Sequence, residues 1–587
     1  MKEFFNSLFM TPVPEQGKRA LLFMPLIALP ALLIFLGVGE LTGVESEWAA
    51  CWRIISDGGK YFAPWMPKHY NSMIFGRIIN GLSAVFPISE WLIRIPAVLA
   101  ALAALAGTIL LALKIFDRKN AIFAGWLMLS SCGFLYWGRV GNNAMFAAAA
   151  SAWCATLFYG RMRRKAAPFR RSFNFFLLLL LTFFGCGLTA VAGIIVLLLP
   201  RWIIQIKKRQ FKVNSIKWAA AGLLSAAALI GVVLCLAVYY GKAENFRFDD
   251  LFFIGEFLHN SAVSAWHDFI TPGEYSIVPQ FPYLSVLLLP WSLFIPAAAY
   301  GLWKKRGELP VDLKALVCGM GLFILCIGVF PSRSWETMLP LLGPAVIAIS
   351  AGLSVRYHDA NWEAVSELIV RVIFIIIAAL ATALLCTWPL WNALLQLQPP
   401  VLLMVISTAV GAAALTVLTF CTVSGSFAER LTKRPAPLAG TVLAGVILSV
   451  LVNCVILPQM SLFATERAFW QTSADMLEQC DPTPEVVMLY RCGLPEQGIY
   501  YLIPRQRIEV VTSPADADKL LQNCGGKVAV ITRHSPEYLA ELQVIARKNR
   551  KNFFPDRPLC KEDLPTAFTS GAARSPDNRW GTWLLEL

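Results

Sequence analysis

Charge is scarce in this 587-residue sequence: Asp, Glu, Lys and Arg make up 15% of it, against about 25% in ordinary globular chains. Hydrophobic residues fill 57%, and mean hydropathy is +0.59. A string of soluble domains, which the length alone would suggest, is thereby excluded, as are a disordered chain, a collagen-like chain and a small disulfide scaffold. A phosphate-cradling glycine loop, a dinucleotide-binding glycine pattern and any Cys/His spacing suited to zinc are also missing. A phosphorylated substrate is therefore expected within the membrane rather than as a soluble nucleotide. No cofactor is assigned, and a need for a divalent metal stays open. No internal repeat of the kind that transporters carry is visible.

What the sequence has instead is apolar blocks of about 15 to 24 residues, near the length that crosses a ~30 Å hydrocarbon core as a helix. Thirteen spans are expected: about Ala20–Val38, Leu92–Ile115, Ala121–Trp137, Met145–Tyr159, Phe173–Cys186, Val191–Ile206, Ala219–Tyr240, Tyr283–Leu302, Leu316–Phe330, Met338–Val355, Ile369–Thr387, Val401–Cys421 and Leu438–Leu457. Net charge is +14. The excess sits in short loops rather than in a nucleic-acid patch: Lys2, Lys18 and Arg19; Arg118 and Lys119; the run Arg161 to Arg171; Lys207 to Lys212; Lys304 to Arg306; Arg356; and Arg430 to Arg434. With thirteen crossings every one of these loops falls on one side, which the positive-inside rule makes cytoplasmic. A multi-pass protein of the cell (inner) membrane is expected, with the N-terminus inside and the tail outside. The first apolar run is too long for a cleavable leader, and no small-residue site closes it.

Two outside loops are long, 39–91 and 241–282. The first holds two amphipathic stretches, "GVESEWAACWRIISDGG" and "NSMIFGRIINGLSAVF", of a kind that lies in the membrane interface. Shorter outside turns carry Arg139, Asn142 and Asn143, then Thr189, then "PSRSWE". Together these loops could close around one outward cavity. The transmembrane unit is expected over 1–460. The remainder, 461–587, reads as a small α/β domain. Strand-like "EVVMLYRC", "GIYYLIP", "RIEVVTS", "KVAVITR" and "WGTWLLEL" alternate with helical "PADADKLLQN" and "SPEYLAELQVIARKN". Its four cysteines, Cys480, Cys492, Cys524 and Cys560, allow three disulfide pairings.

Each candidate site residue has a plain reading and a functional one. Glu45 and Glu47 are solvated charges on an interfacial helix, or one of them faces the cavity as a general base that accepts from or orients a nucleophile. Arg139 and Arg333 are anchors at span ends, or they hold a phosphate, for which the forked, always-charged guanidinium is suited. Glu256 and Asn260, with His259 between them, are helix-surface groups or hydrogen-bond a sugar. His69 and Tyr70 are an interfacial pair or contact substrate, and Asn143 is a further candidate contact. Asp516, Asp518 and Lys519 read as a solvated helix face.

Four segments resemble the GT-C membrane glycosyltransferases, most closely the group of lipid A aminoarabinose transferases and protein O-mannosyltransferases. In "ESEWAACWRIISDGGKYFAP" the residues Glu45, Trp48, Arg53 and Pro64 match the group's first-loop pattern. In "EWLIRIPAVLAAL" the matches are Glu90, Trp91, Arg94 and Pro96. "LPWSLFIPAA" is similar to the start of span eight. "SRSWETMLPLLGPAVI" matches at Leu339, Pro340 and Pro344, with Arg333 where the group has Lys. The departures fall on chemical positions. The group's catalytic Asp falls on Val44, its phosphate-contacting Lys on Ala190, and the Asp opening span four on Asn143 or Ala144. The segment after Tyr70 lacks the group's Glu-Lys-Pro.

The resemblance implies an all-α GT-C-like membrane domain with an extracytoplasmic α/β tail. It also implies transfer of a sugar, with inversion, from a polyprenyl-phosphate donor to a lipid or glycan acceptor of the cell envelope, lipid A modification being one instance. Glu45 or Glu47 would take the base role, with Arg333 and Arg139 on the donor phosphate. The partners implied are that donor, that acceptor and membrane lipids, with no nucleic acid. The competing readings are a catalytically inactive binding or scaffold protein of the same fold and, with less support, a transporter.

Overall fold

The computed structural model describes residues 15–34, 36, 45, 49, 86, 89–116, 118–159, 168–207, 217, 219–229, 231, 281–328, 335–356, 446, 449, 467–480, 483–491, 507–533, 536–553, 560–562 and 580–586. The expected spans at Ile369–Thr387 and Val401–Cys421 lie outside them, and of Leu438–Leu457 only Val446 and Ser449 are described.

The chain is mostly helical, and most helices coincide with the apolar runs. Helix α1 is Glu15–Leu33. Helix α2, Glu90–Ile115, is capped by Ser89, whose hydroxyl accepts from Leu92 N at 3.4 Å, and Glu90 in its first turn complements the helix dipole. The third expected span is broken into α3, Arg118–Leu129, and α4, Cys132–Trp137. Ser130 and Ser131 make the break, each turning its hydroxyl back onto a carbonyl of the preceding turn, Trp126 O at 2.7 Å and Met128 O at 2.8 Å. Helix α5 is Ala144–Phe158. Two further expected spans form one run, α6, Pro168–Lys207, bent where Gly187 takes φ 79, a backbone state that favours glycine. The span expected at Tyr283–Leu302 is also interrupted, into α7, Phe281–Leu287, a 3-10 turn Trp291–Phe294, and α8, Ile295–Lys304. Next come α9, Val311–Phe323, extended by a π turn, then a 3-10 helix Trp335–Leu341 leading into α10, Leu342–Arg356. Among the described residues, three helices are long and apolar enough to cross a membrane: Glu90–Ile115, Gly185–Lys207 and Thr337–Ser354.

The two interrupted spans are stitched together at their breaks. Cys132 N donates to Leu289 O at 2.8 Å, Trp291 Nε1 to Ser130 Oγ at 2.7 Å, and Ser449 Oγ to Ser130 O at 2.6 Å. The Cys132 N–H and the Leu289 carbonyl thus pair across the two breaks, and Ser449 takes up the Ser130 carbonyl, as an apolar surrounding requires. Elsewhere small residues let backbones touch. A Cβ on Gly352 would meet Ala298 O, so α8 and α10 meet main chain to main chain.

Hydrogen bonds sort the helix ends into two faces. At one, Lys114 Nζ donates to Thr156 O at 2.6 Å. Arg171 donates to Leu157 O at 2.5 Å and to Phe158 O at 2.9 Å. These cations satisfy the last carbonyls of α5, where the helix dipole is negative. Arg201 pairs with Asp312 at 2.8 Å on the α6–α9 contact near the same face. At the other face Asn143 Nδ2 donates to Gly185 O at 2.8 Å, next to the residues of the candidate site. Helices α2 and α5 therefore both end at the first face, and α6 starts there, reaches the other face near Gly185 and returns.

The tail opens with α11, Arg467–Gln479, which was not expected from the sequence. Strands β1, Val486–Tyr490, β2, Arg507–Val511, and β3, Val528–Arg533, pair in parallel in the order β2-β1-β3. Helix α12, Pro514–Asn523, and helix α13, Pro536–Lys548, sit where the Ser-Pro signals place them. Ser513 caps α12 by accepting from Asp516 N at 3.2 Å. The short strands β4, Asn552–Phe553, and β5, Cys560–Glu562, both pair antiparallel with β6, Trp580–Glu586, which itself pairs antiparallel with β3. The stretch "GIYYLIP" lies outside the described residues.

Asp518 ties α12 to α13: its carboxylate accepts from Lys548 and, at 2.7 Å, from Asn549 Nδ2. The Lys548 hydrogen bond, then that of Asn549, holds its pKa below the ordinary value. A depressed folded pKa contributes stability that is fully present above the unfolded-state pKa and is lost as pH falls through the folded one. In acid titrations followed by hydrogen exchange, α12 and α13 of the natural protein should lose protection in the acid range below pH 4. In Asp518→Asn that component of the pH dependence should vanish.

Candidate functional site

An arginine buried at the mouth of an apolar helix must find partners, because desolvating it costs several kcal/mol. Arg94, in the first turns of α2, finds Glu45. Its Nε donates to Glu45 Oε1 at 2.8 Å and its Nη2 to Oε2 at 2.9 Å, the two-pronged contact that suits a guanidinium to a carboxylate. Both are sealed from solvent, at 6% and 1% exposure. Nη1 donates to Leu36 O at 2.5 Å, just past the end of α1. Gly141 N, in the turn between α4 and α5, donates to Glu45 Oε1 at 2.5 Å. The carboxylate is thus fixed by three donors from two elements that are far apart in sequence.

Glycine at 141 is a steric requirement of this approach. A Cβ there would lie 2.7 Å from Ile93 Cγ2, 3.0 Å from Ile93 O and 3.3 Å from Glu45 Oε1. The same turn carries Arg139, whose Nη1 donates to Ala31 O at 3.1 Å, and Asn142, whose Oδ1 accepts from Ala144 N at 3.1 Å to start α5. Asn143 follows, bonded to Gly185 O, while Cys186 Sγ donates to Asn143 O at 3.4 Å. Glu45, Arg139 and Asn143, three of the residues singled out in the sequence, therefore belong to one end of the helical bundle. Glu47, His69, Tyr70, Glu256, Asn260 and Arg333 lie outside the described residues.

Sequence reasoning placed Arg94 in a matching segment without giving it a role. The signal was there: it is a permanent charge inside an apolar run, which in a membrane segment needs a partner. Gly141 gave no comparable signal, because its role depends on a carboxylate 96 positions away. No group of three or more His, Cys, Asp and Glu side chains able to hold a metal occurs among the described residues. Chemically, the arrangement is a carboxylate that a guanidinium and one backbone N–H hold in a single orientation, sealed from solvent rather than solvated as a charge on an interfacial helix.

No family model and no curated protein matches the sequence. Solved structures do match. The crystal structure of ArnT from Cupriavidus metallidurans bound to undecaprenyl phosphate is 15% identical and gives a TM-score of 0.62, with 96% of this chain and 97% of that chain covered. The same protein in the apo state gives 0.61 at the same identity and coverage. The chain has the GT-C fold that its four sequence segments led us to expect.

Losing one partner of the buried pair leaves the other charge uncompensated, at a typical cost of ~3–5 kcal/mol. Glu45→Gln and Arg94→Ala should each lower the thermal midpoint of the purified protein in detergent markedly. The double variant Glu45→Leu, Arg94→Met should recover most of the loss. Gly141→Ala, which forces Ile93 or Glu45 to move, should cost ~1–3 kcal/mol in the same assay.

Proposed function

We propose that this protein is a membrane glycosyltransferase that moves a sugar from a polyprenyl-phosphate-linked donor to an extracytoplasmic lipid or cell-envelope acceptor. The observation that carries the reading is the carboxylate of Glu45, fixed by Arg94 and Gly141 at the bundle end away from the Lys114–Arg171 cluster. Support also comes from the GT-C fold shared with ArnT, which was crystallised with undecaprenyl phosphate. On this reading the protein lies in the inner membrane with its N-terminus in the cytoplasm and its α/β tail outside.

In the reaction, an acceptor oxygen bonds to the anomeric carbon while the bond from that carbon to the donor phosphate oxygen breaks. Either Glu45 or Glu47 orients the acceptor hydroxyl or takes its proton. Arg333, with Arg139, holds the lipid phosphate and offsets the charge that it gains on leaving. Asn143, His69, Tyr70, Glu256 and Asn260 complete the contacts to sugar and acceptor. Ser151 Oγ on α5 donates to Pro340 O at 2.7 Å, which fixes the 3-10 helix Trp335–Leu341 against α5.

A second reading is a GT-C-fold binding or scaffold protein without catalysis. It is favoured by Val44 and Ala190, apolar residues at two positions where the resemblance calls for chemistry.

Protein reconstituted in liposomes with a radiolabelled polyprenyl-phosphate sugar and an envelope lipid extract distinguishes the two. The natural chain should label an acceptor. Glu45→Gln, Glu47→Gln should lose at least ~10²-fold in turnover. Arg333→Ala should lose ~10²–10³-fold. Donor binding without label transfer would select the scaffold reading, and full turnover in the carboxylate variant would remove Glu45 and Glu47 from the mechanism.

A further inference from the structure

More positive charge collects at the basic end of the bundle than its helix ends neutralise. Lys114, near the end of α2, and Arg171, near the start of α6, both close the last turn of α5. They donate to three successive carbonyls: Thr156 O at 2.6 Å, Leu157 O at 2.5 Å and Phe158 O at 2.9 Å. Because α6 bends at Gly187 and returns, its far end brings Arg201 to the same place. Lys114 and Arg201 each lie close enough to Arg171 for the like charges to oppose one another.

Capping the helix does not balance this charge. A helix carboxyl end carries about half an elementary negative charge, and two full positive charges sit on this one. Among the described residues the only ion pair that the three cations make is that of Arg201 with Asp312, at 2.8 Å. The flanking chain adds to the excess: residues 160–167 and 207–218 carry further Lys and Arg and no Asp or Glu. Like charges held together at partly desolvated positions are costly unless an anion joins them.

The cluster has the means to receive one. Lys114 uses one of its three N–H donors on these carbonyls, and Arg171 two of its five. Neither is sealed: Lys114, Arg171 and Arg201 all stay partly exposed at the bundle surface. Next to Arg201, α6 turns Trp202, Ile203 and Ile206 outward as exposed apolar side chains. A tryptophan with aliphatic neighbours at the end of a spanning helix is a surface that lies at the level of lipid headgroups, with acyl chains alongside.

We propose that this cluster binds the headgroup phosphate of an anionic phospholipid from the leaflet on that side of the membrane. Lys114, Arg171 and Arg201 meet the phosphate, and the exposed apolar face of α6 meets the acyl chains. That apolar face favours a lipid over free inorganic phosphate. The site lies at the opposite end of the bundle from Glu45 and stands whether or not the transferase reading holds.

The test is native mass spectrometry of the delipidated full-length protein in detergent, titrated separately with phosphatidylglycerol, phosphatidylcholine and inorganic phosphate. The first phosphatidylglycerol should bind at least ~10-fold more tightly than phosphatidylcholine, and inorganic phosphate at matched concentration should not displace it. The double variant Lys114→Gln, Arg171→Gln keeps amide donors for the α5 carbonyls but removes the charges, so it should lose that preference. Arg171→Lys keeps the charge and should retain it. Lys304→Gln, Lys305→Gln removes as much charge from a different basic loop and should leave the preference unchanged. Equal affinity for the two lipids, displacement by inorganic phosphate, an unchanged preference in the first double variant, loss of it in Arg171→Lys, or an equal loss in the second double variant would each overturn the proposal.

Discussion

The need to neutralise one buried guanidinium organises the carboxylate end of the bundle. Arg94 cannot snorkel to water from its sealed position, so Glu45 comes to it, and Leu36 O and Gly141 N complete the polar shell. That one requirement ties the end of α1, the start of α2 and the turn between α4 and α5. It also forbids a side chain at position 141 and fixes Glu45 in a single orientation. The same contacts hold the helix ends together and keep the carboxylate in place. Arg139 and Asn143 sit on the same short turn, so a shift at Gly141 reaches all of them.

The opposite end solves a different problem. There the charges are cations on spent carbonyls: Lys114 and Arg171 close the C-terminus of α5, while Arg201 meets Asp312. These are helix-end repairs, and they coincide with the basic loops that orient a membrane chain. One bundle therefore carries a sealed, ion-paired carboxylate at one end and cations on helix carbonyls at the other.

Much of the helical plan was legible because apolar runs of spanning length have few alternatives. What the pattern could not show were the interruptions. Ser130, Ser131 and Pro290 break runs that look continuous by hydropathy, and the breaks are bridged by Trp291 on Ser130 and by Cys132 on Leu289, with Ser449 on the Ser130 carbonyl, the first of these a relation between residues 161 positions apart. Gly187, by contrast, lies in the gap expected between two spans. In the tail, Ser-Pro starts and β-branched runs located α12, α13 and β1 to β3. Helix α11 was missed, being a polar amphipathic segment beside the last apolar run. Glu45 was recognised from its place in a first-loop pattern, but its partner was not. Pairing Arg94 with it needed three-dimensional contact, since 49 residues separate them.

The most direct test is a cryo-EM structure of the protein in lipid nanodiscs loaded with polyprenyl phosphate. The account predicts phosphate density at the end of the bundle that holds Glu45 and Arg94, with the two side chains still paired. Density confined to the Lys114–Arg171 end, or a Glu45 carboxylate turned away from Arg94, would contradict it.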